Sequence, residues 1–136
     1  MPARPVVTIG LSEVTVEQLQ AAQEIAPIVS VQNMFNLASR SAEPLLDYAA
    51  GNGIAFIPWF PLATGALAGP GSPLAQLAAE RGATPSQLAL AWLLRRSPVM
   101  LPIPGTSTVR HLEDNIAAAA IELTDEQFAE LNAITG

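Results

Sequence analysis

The sequence predicts an α/β fold built on a parallel sheet, and three observations carry that expectation. Short apolar, β-branched runs alternate four times with capped helical stretches. The run over residues 54–59 is apolar throughout, as expected of a strand covered on both faces. Residues suited to meeting a ligand, namely Ser12, Gln32, Trp59 and Gly105 to Ser107, each stand where a run gives way to its loop. The expected organisation is one domain over residues 1–136: parallel (βα)4, with an extra helix in the third unit, a C-terminal helix and right-handed crossovers. Sheets of this kind bind ligands at the carboxyl ends of their strands, so one rim should collect those residues.

The elements follow in order. Residues 6–11 form the first strand, with a polar end at Ser12-Glu13. Thr15 caps a helix with Gln18 at capping-box spacing; Leu19, Ala22 and Ile25-Ala26 share a face, and Pro27 stops it. Residues 28–31 make the second strand, ending at Gln32-Asn33, and residues 36–40 a polar-containing loop. Ser41 is placed to cap a helix with Pro44 in its first turn, burying Leu45, Leu46 and Ala49 and ending at Gly51-Asn52-Gly53. The third strand, 54–59, leads into a long loop over 60–72 with three glycines and two prolines, a length that points to function. Pro73 opens a helix to Arg81. Gly82 separates it from another, capped at Thr84 with Gln87 and facing Leu88, Trp92 and Leu93 inward. Residues 99–103 are the fourth strand and 109–119 its helix. Thr124 to Gln127 starts the last helix, with Phe128, Leu131 and Ile134 on one face.

Composition excludes several function classes. The chain has 136 residues, half of them hydrophobic and 13% charged, which suits a packed domain rather than a disordered one. It has no cysteine and one histidine, His111, so disulfides, thiolate catalysis and multi-histidine metal sites are excluded. Net charge is −6, and the six basic residues are all arginine. No basic stripe exists to neutralise a nucleic-acid backbone. Without lysine there is no Schiff base and no P-loop lysine. No apolar run is long enough to span a bilayer, and residues 1–5 do not read as a signal peptide. A cytoplasmic protein with no membrane or nucleic-acid partner is expected.

Residues 100–115, MLPIPGTSTVRHLEDN, carry the clearest local chemistry. An apolar run breaks at Gly105, offers three hydroxyls (Thr106, Ser107, Thr108) and becomes helical. A helix N-terminus after a strand presents unpaired N–H groups and a positive dipole end, a setting for an anion. The same residues also suit an ordinary capped helix in a βα connection.

Five motifs in order then resemble a known family. They are Ile9-Gly10-Leu11-Ser12; Val31-Gln32-Asn33; Ile57-Pro58-Trp59-Phe60-Pro61-Leu62 with Gly65 and Leu67; the stretch from Thr84 to Leu94; and Ile103-Pro104-Gly105-Thr106-Ser107 with His111-Leu112-Glu113-Asp114-Asn115. Together they resemble the C-terminal half of an aldo-keto reductase, from about residue 7 onward. The resemblance implies the last four βα units of a TIM-type (β/α)8 barrel, with NADP (NADPH) across its C-terminal rim.

On that resemblance Ser12 and Gln32 hold the nicotinamide carboxamide, and Trp59 lies against the ring. Leu62, Thr64, Gly65 and Leu67 follow the pyrophosphate. Gly105, Thr106, Ser107, His111, Asp114 and Asn115 surround the adenosine end. Two departures stand out. Many relatives have asparagine after the first motif's serine, where this chain has Glu13. Many have a lysine and an arginine on the 2′-phosphate, where this chain has Gly105 and His111. Each charge-assisted bond lost is worth roughly 1.5–3 kcal/mol, so NAD also comes into consideration, with Arg110 able to compensate.

The family's catalytic aspartate, tyrosine, lysine and histidine come from the other half of the barrel, and no catalytic residue is assigned here. The expectation is a cofactor-binding half of an oxidoreductase, inactive alone. It would be completed as a homodimer or by a complementary N-terminal half barrel, because a split barrel leaves open edges. A non-catalytic dinucleotide-binding or regulatory module, and a folded remnant without ligand, are the alternatives.

Overall fold

The computed structural model describes residues 8–59, 61–62 and 69–134. Strand β1 (Ile9–Ser12) pairs parallel with β2 (Ile28–Met34), and β2 pairs parallel with β3 (Ala55–Trp59), in the order β1-β2-β3. Helix α1 (Val16–Gln23) connects the first pair and α2 (Glu43–Gly51) the second. Helices α3 (Pro73–Glu80), α4 (Pro85–Arg96), α5 (Val109–Ala117) and α6 (Asp125–Ala133) follow. This is the expected α/β partial barrel, with the extra helix α3 in the third unit and α6 at the end. No helix among the described residues is long and apolar enough to cross a membrane.

The fourth strand is a correction. Residues 99–103 do not form a strand; a single parallel bridge joins Met100 to Phe56. The Phe56 N–H donates to the Val99 carbonyl at 2.9 Å and the Leu101 N–H to the Phe56 carbonyl at 2.8 Å. The next rung of a parallel ladder would need an N–H from residue 58, and Pro58 has none. Pro102 and Pro104 deprive the segment of two more donors. It still runs alongside β3 in the same direction, which delivers Gly105 to the same end of the sheet.

Local signals place most helices well. Thr15 with Gln18, Thr84 with Gln87 and Thr124 with Gln127 all close reciprocal capping boxes. Three boundaries differ. Helix α1 ends at Gln23, and bonds from Ile25 and Ala26 back to the Ala22 carbonyl tighten its last turn, so Ile25 points outward and is 89% exposed. Ser41 does not cap α2: the cap position is Ala42, which has no side-chain acceptor. Strand β2 continues to Met34, so Gln32 and Asn33 belong to the strand rather than to its end. Residues 6–7 of the first expected strand lie outside the described residues.

The core lies between the sheet and the helices. Leu45, Leu46 and Ala49 of α2 are buried, as are Leu74 and Leu77 of α3 and Leu88 to Leu93 of α4. Its aromatic centre is a stack of Phe35, Trp92 and Phe128, with centroids 5.8 Å and 6.2 Å apart and both interplanar angles 15°. Phe56 meets Phe35 edge-on at 5.8 Å. The Arg40 guanidinium lies 4.8 Å from the Trp92 ring centre, and Trp92 Nε1 donates to Asn132 Oδ1 at 2.9 Å. The loop after β2 therefore does more than connect: Phe35 and Leu37 are buried, and Asn36 Oδ1 holds its turn by accepting the Ala38 and Ser39 N–H groups.

Candidate functional site

Strand alternation sorts the sheet residues onto two faces. Val31, Asn33 and Phe56 turn toward the helices and are buried. Ser12, Ser30, Gln32, Ile57 and Trp59 turn to the opposite face, which in a barrel is the lumen. Register sets their neighbours: Ser12 pairs with Gln32, Gln32 with Ile57, and Met34 with Trp59. A hydroxyl and an amide thus stand side by side near the carboxyl ends, with an exposed indole one step nearer the rim. Gly10 leaves room below them for the Ser30 hydroxyl, which a Cβ there would force to another rotamer.

The rim above this row is built by Glu13 and Asn33. The Glu13 N–H donates to the Gln32 carbonyl at 2.9 Å, carrying the pairing one residue past β1. Glu13 Oε1 accepts the Met34 N–H at 2.8 Å and the indole N–H of Trp59. Buried Asn33 clamps the next residue, accepting the Val14 N–H at 3.2 Å and donating to the Val14 carbonyl at 3.1 Å. These residues border a hollow of about 560 Å³ between the starts of α1 and α2.

A second hollow, of about 270 Å³, opens at the start of α5. Leu62, Thr84, Ser86, Gly105, Thr106, Arg110, His111, Asp114 and Asn115 line it. Thr108 caps α5 by accepting the His111 N–H at 3.3 Å, and Thr106 Oγ1 accepts the Thr108 N–H at 3.2 Å. The Val109 and Arg110 N–H groups, in the first helical turn, have no intrahelical acceptor. At Gly105 the backbone is open to an approaching group, since a Cβ there would meet nothing within 4 Å. Arg40, Arg81, Arg95 and Arg96 are each held by other parts of the fold, whereas Arg110 lines this hollow and makes no ion pair among the described residues. Open backbone donors, hydroxyls and a guanidinium are a donor set that fits phosphate oxygens.

The sequence-predicted site residues thus fall into two groups. Ser12, Gln32 and Trp59 share the lumen face at the strand ends. Leu62, Gly105, Thr106, His111, Asp114 and Asn115 come together around the second hollow. Ser107 is exposed beside that hollow but does not line it. Thr64, Gly65 and Leu67 lie outside the described residues. In the sequence Ser86 reads only as part of a capped helix start, and Asn33 only as a polar strand end within a motif. Ser86 lines the hollow from the start of α4, a placement visible only once α4 and α5 pack together. Among the described residues no cluster of histidine and carboxylates could hold a metal ion.

Comparison with known proteins agrees with this architecture. The model of the Aldo/keto reductase family matches residues 6–135. An uncharacterized oxidoreductase of Schizosaccharomyces pombe is 56% identical over 124 residues, 91% of this chain and 40% of that protein. Pyridoxine 4-dehydrogenase of Escherichia coli is 49% identical over 127 residues, 93% of this chain and 44% of that protein. The solved aldo/keto reductase from Klebsiella pneumoniae in complex with NADP and acetate superposes with a TM-score of 0.85 at 29% identity, covering 93% of this chain and 47% of that one. The chain spans less than half the length of the curated relatives it matches. It belongs to the aldo/keto reductase family.

Proposed function

We propose that this chain is the cofactor-binding half of an NADP-dependent oxidoreductase, holding a nicotinamide dinucleotide from the lumen face of the sheet to the start of α5. The observation that carries the reading is the pairing of two unlike subsites at one end of the sheet. The Ser12 hydroxyl and Gln32 amide, register partners, suit a carboxamide, and Trp59 offers a flat face beside them. The second hollow, with Arg110, Thr106 and the open α5 N–H groups, suits phosphates. Leu62, three residues after β3, lines that hollow, and Thr64, Gly65 and Leu67 follow it in the sequence. Bound there, the dinucleotide would supply hydride chemistry; the chain's part is to hold the ring face and the phosphates. A relative solved with NADP supports the choice of cofactor. Arg110, which lines that hollow, is the cation this reading assigns to the choice of NADP over NAD.

The chain contains no lysine, and its one tyrosine, Tyr48, donates to Gln23 Oε1 at 2.7 Å between α2 and α1. Neither can act as the family's tyrosine-lysine proton donor, so these 136 residues alone are proposed not to reduce carbonyls. Completion by a second copy or a complementary half barrel is part of the same reading. Val109, Leu112 and Ile116 of α5 are 73%, 50% and 66% exposed and recur at helical spacing, and Leu101 and Ile103, which precede α5 in the chain, are also exposed. Such a face suits burial against another polypeptide. The same reading places the chain in the cytoplasm.

Calorimetric titration with NADPH and NADH, alongside an assay for NADPH-dependent carbonyl reduction, tests the proposal. Saturable binding with NADPH preferred, weakened by Arg110→Ala, and no turnover is the expected outcome. Absence of binding to either nucleotide, or turnover by the pure chain, would contradict it. Sedimentation at micromolar concentration should show a species larger than one chain, and a sharp monomer would remove the assembly.

A further inference from the structure

Among the described residues Glu13 is the one non-glycine residue with positive φ, at 52°. Glycine and asparagine tolerate that region, and a glutamate has no local reason to occupy it. Backbone held there against preference points to a role for the side chain. The carboxylate is fixed by the Met34 N–H at 2.8 Å and by the Trp59 indole N–H, so its charge sits at the indole edge, on the strand ends. Glu17 borders the same hollow, and among the described residues none that lines it is basic.

Resting on the reading that Trp59 lies against the nicotinamide, we propose that Glu13 sets the site's preference between the two redox states of the dinucleotide, in favour of the oxidised one. The oxidised ring carries a full positive charge and the reduced ring none. A fixed carboxylate beside the ring therefore attracts one form and leaves the other nearly unaffected. For unit charges ~6 Å apart the effect lies between about threefold at the dielectric of water and about a hundredfold at that of a protein surface. Glu13 is exposed, which puts the expected effect in the lower part of that range.

The experiment compares dissociation constants for NADP⁺ and NADPH in the unaltered chain, Glu13→Gln and Glu13→Asn, by calorimetry. Glutamine keeps an oxygen acceptor for the Met34 and Trp59 donors and removes the charge; asparagine suits the backbone and removes it too. Both variants should weaken NADP⁺ by about 3- to 30-fold relative to NADPH, and Glu13→Asn should melt no lower than the unaltered chain. An unchanged affinity ratio in Glu13→Gln overturns the inference, including the case in which both nucleotides weaken equally, the mark of a purely structural role. Failure of the unaltered chain to bind either form overturns the cofactor reading itself, and the inference with it.

Discussion

Asn33 holds Val14 by both of its backbone groups, its amide accepting the Val14 N–H at 3.2 Å and donating to the Val14 carbonyl at 3.1 Å. The clamp fixes the chain leaving β1 against the end of β2, and with it the neighbouring Glu13. Asn33→Ala should therefore destabilise the fold by about 1–3 kcal/mol. Asn33→Asp keeps the acceptor but turns a buried carboxylate oxygen toward the Val14 carbonyl, so it should cost at least as much as the alanine variant. Urea denaturation measures both. A change below a few tenths of a kcal/mol for the alanine variant would mean the clamp does not hold the rim.

Trp92 carries the aromatic centre. Truncation to alanine removes the stack with Phe35 and Phe128 and the bond to Asn132, and should cost about 3–5 kcal/mol. Trp92→Phe keeps most of the stack but leaves Asn132 Oδ1 without its indole donor, for about 1–3 kcal/mol. Thermal melts followed by circular dichroism should rank the two in that order.

Caps offer a contrast between two hydroxyls. Thr84 Oγ1 accepts the Gln87 N–H at 3.1 Å and the Thr84 N–H donates to Gln87 Oε1 at 3.0 Å, so Thr84→Ala should cost about 1 kcal/mol. Ser41 is exposed and does not cap α2, so Ser41→Ala should lie within about 0.5 kcal/mol of the unaltered chain. Equal losses at the two positions would contradict the cap assignment.

Acid should weaken the fold partly through two helix starts. Glu17 and Glu126 are held below the ordinary glutamate value of 4.5, chiefly by hydrogen bonds from their own backbone N–H and next by the capping threonines Thr15 and Thr124. The folded chain then binds these protons less readily than the unfolded chain, so stability falls as pH falls. Their contribution is complete above the unfolded value and is lost as pH drops through the lowered folded one. In urea midpoints taken on acidification, the Glu17→Gln, Glu126→Gln double variant should decline less steeply than the unaltered chain. Parallel curves would remove this account.

What the sequence made legible was local. The capping boxes at Thr15, Thr84 and Thr124 span three residues each, and the buried faces of α2 and α4 repeat at helical spacing, so pattern alone locates them. The lumen row was legible too, because Ser12 and Gln32 sit at the polar ends of apolar runs. What escaped depends on cross-strand partners. Pro58 reads as an ordinary strand residue until Leu101 lies beside it and its missing N–H ends the ladder. Asn33 reaches across 19 positions to Val14, and the carboxylate of Glu13 reaches Trp59 across 46. No periodicity encodes those distances. Ile25 falls on the buried face only if α1 runs to Pro27; the helix ends a turn earlier, at Gln23.

The two tryptophans allow a direct test of nucleotide binding at the strand ends. Trp59 is exposed on the lumen face, whereas Trp92 is buried with its indole N–H on Asn132. In a ¹⁵N-labelled chain their indole N–H signals can be followed separately during titration with NADPH, with Trp59→Phe supplying the assignment. The account predicts a saturable shift of the Trp59 signal while that of Trp92 stays in place. A Trp59 signal that does not move at millimolar NADPH would contradict it.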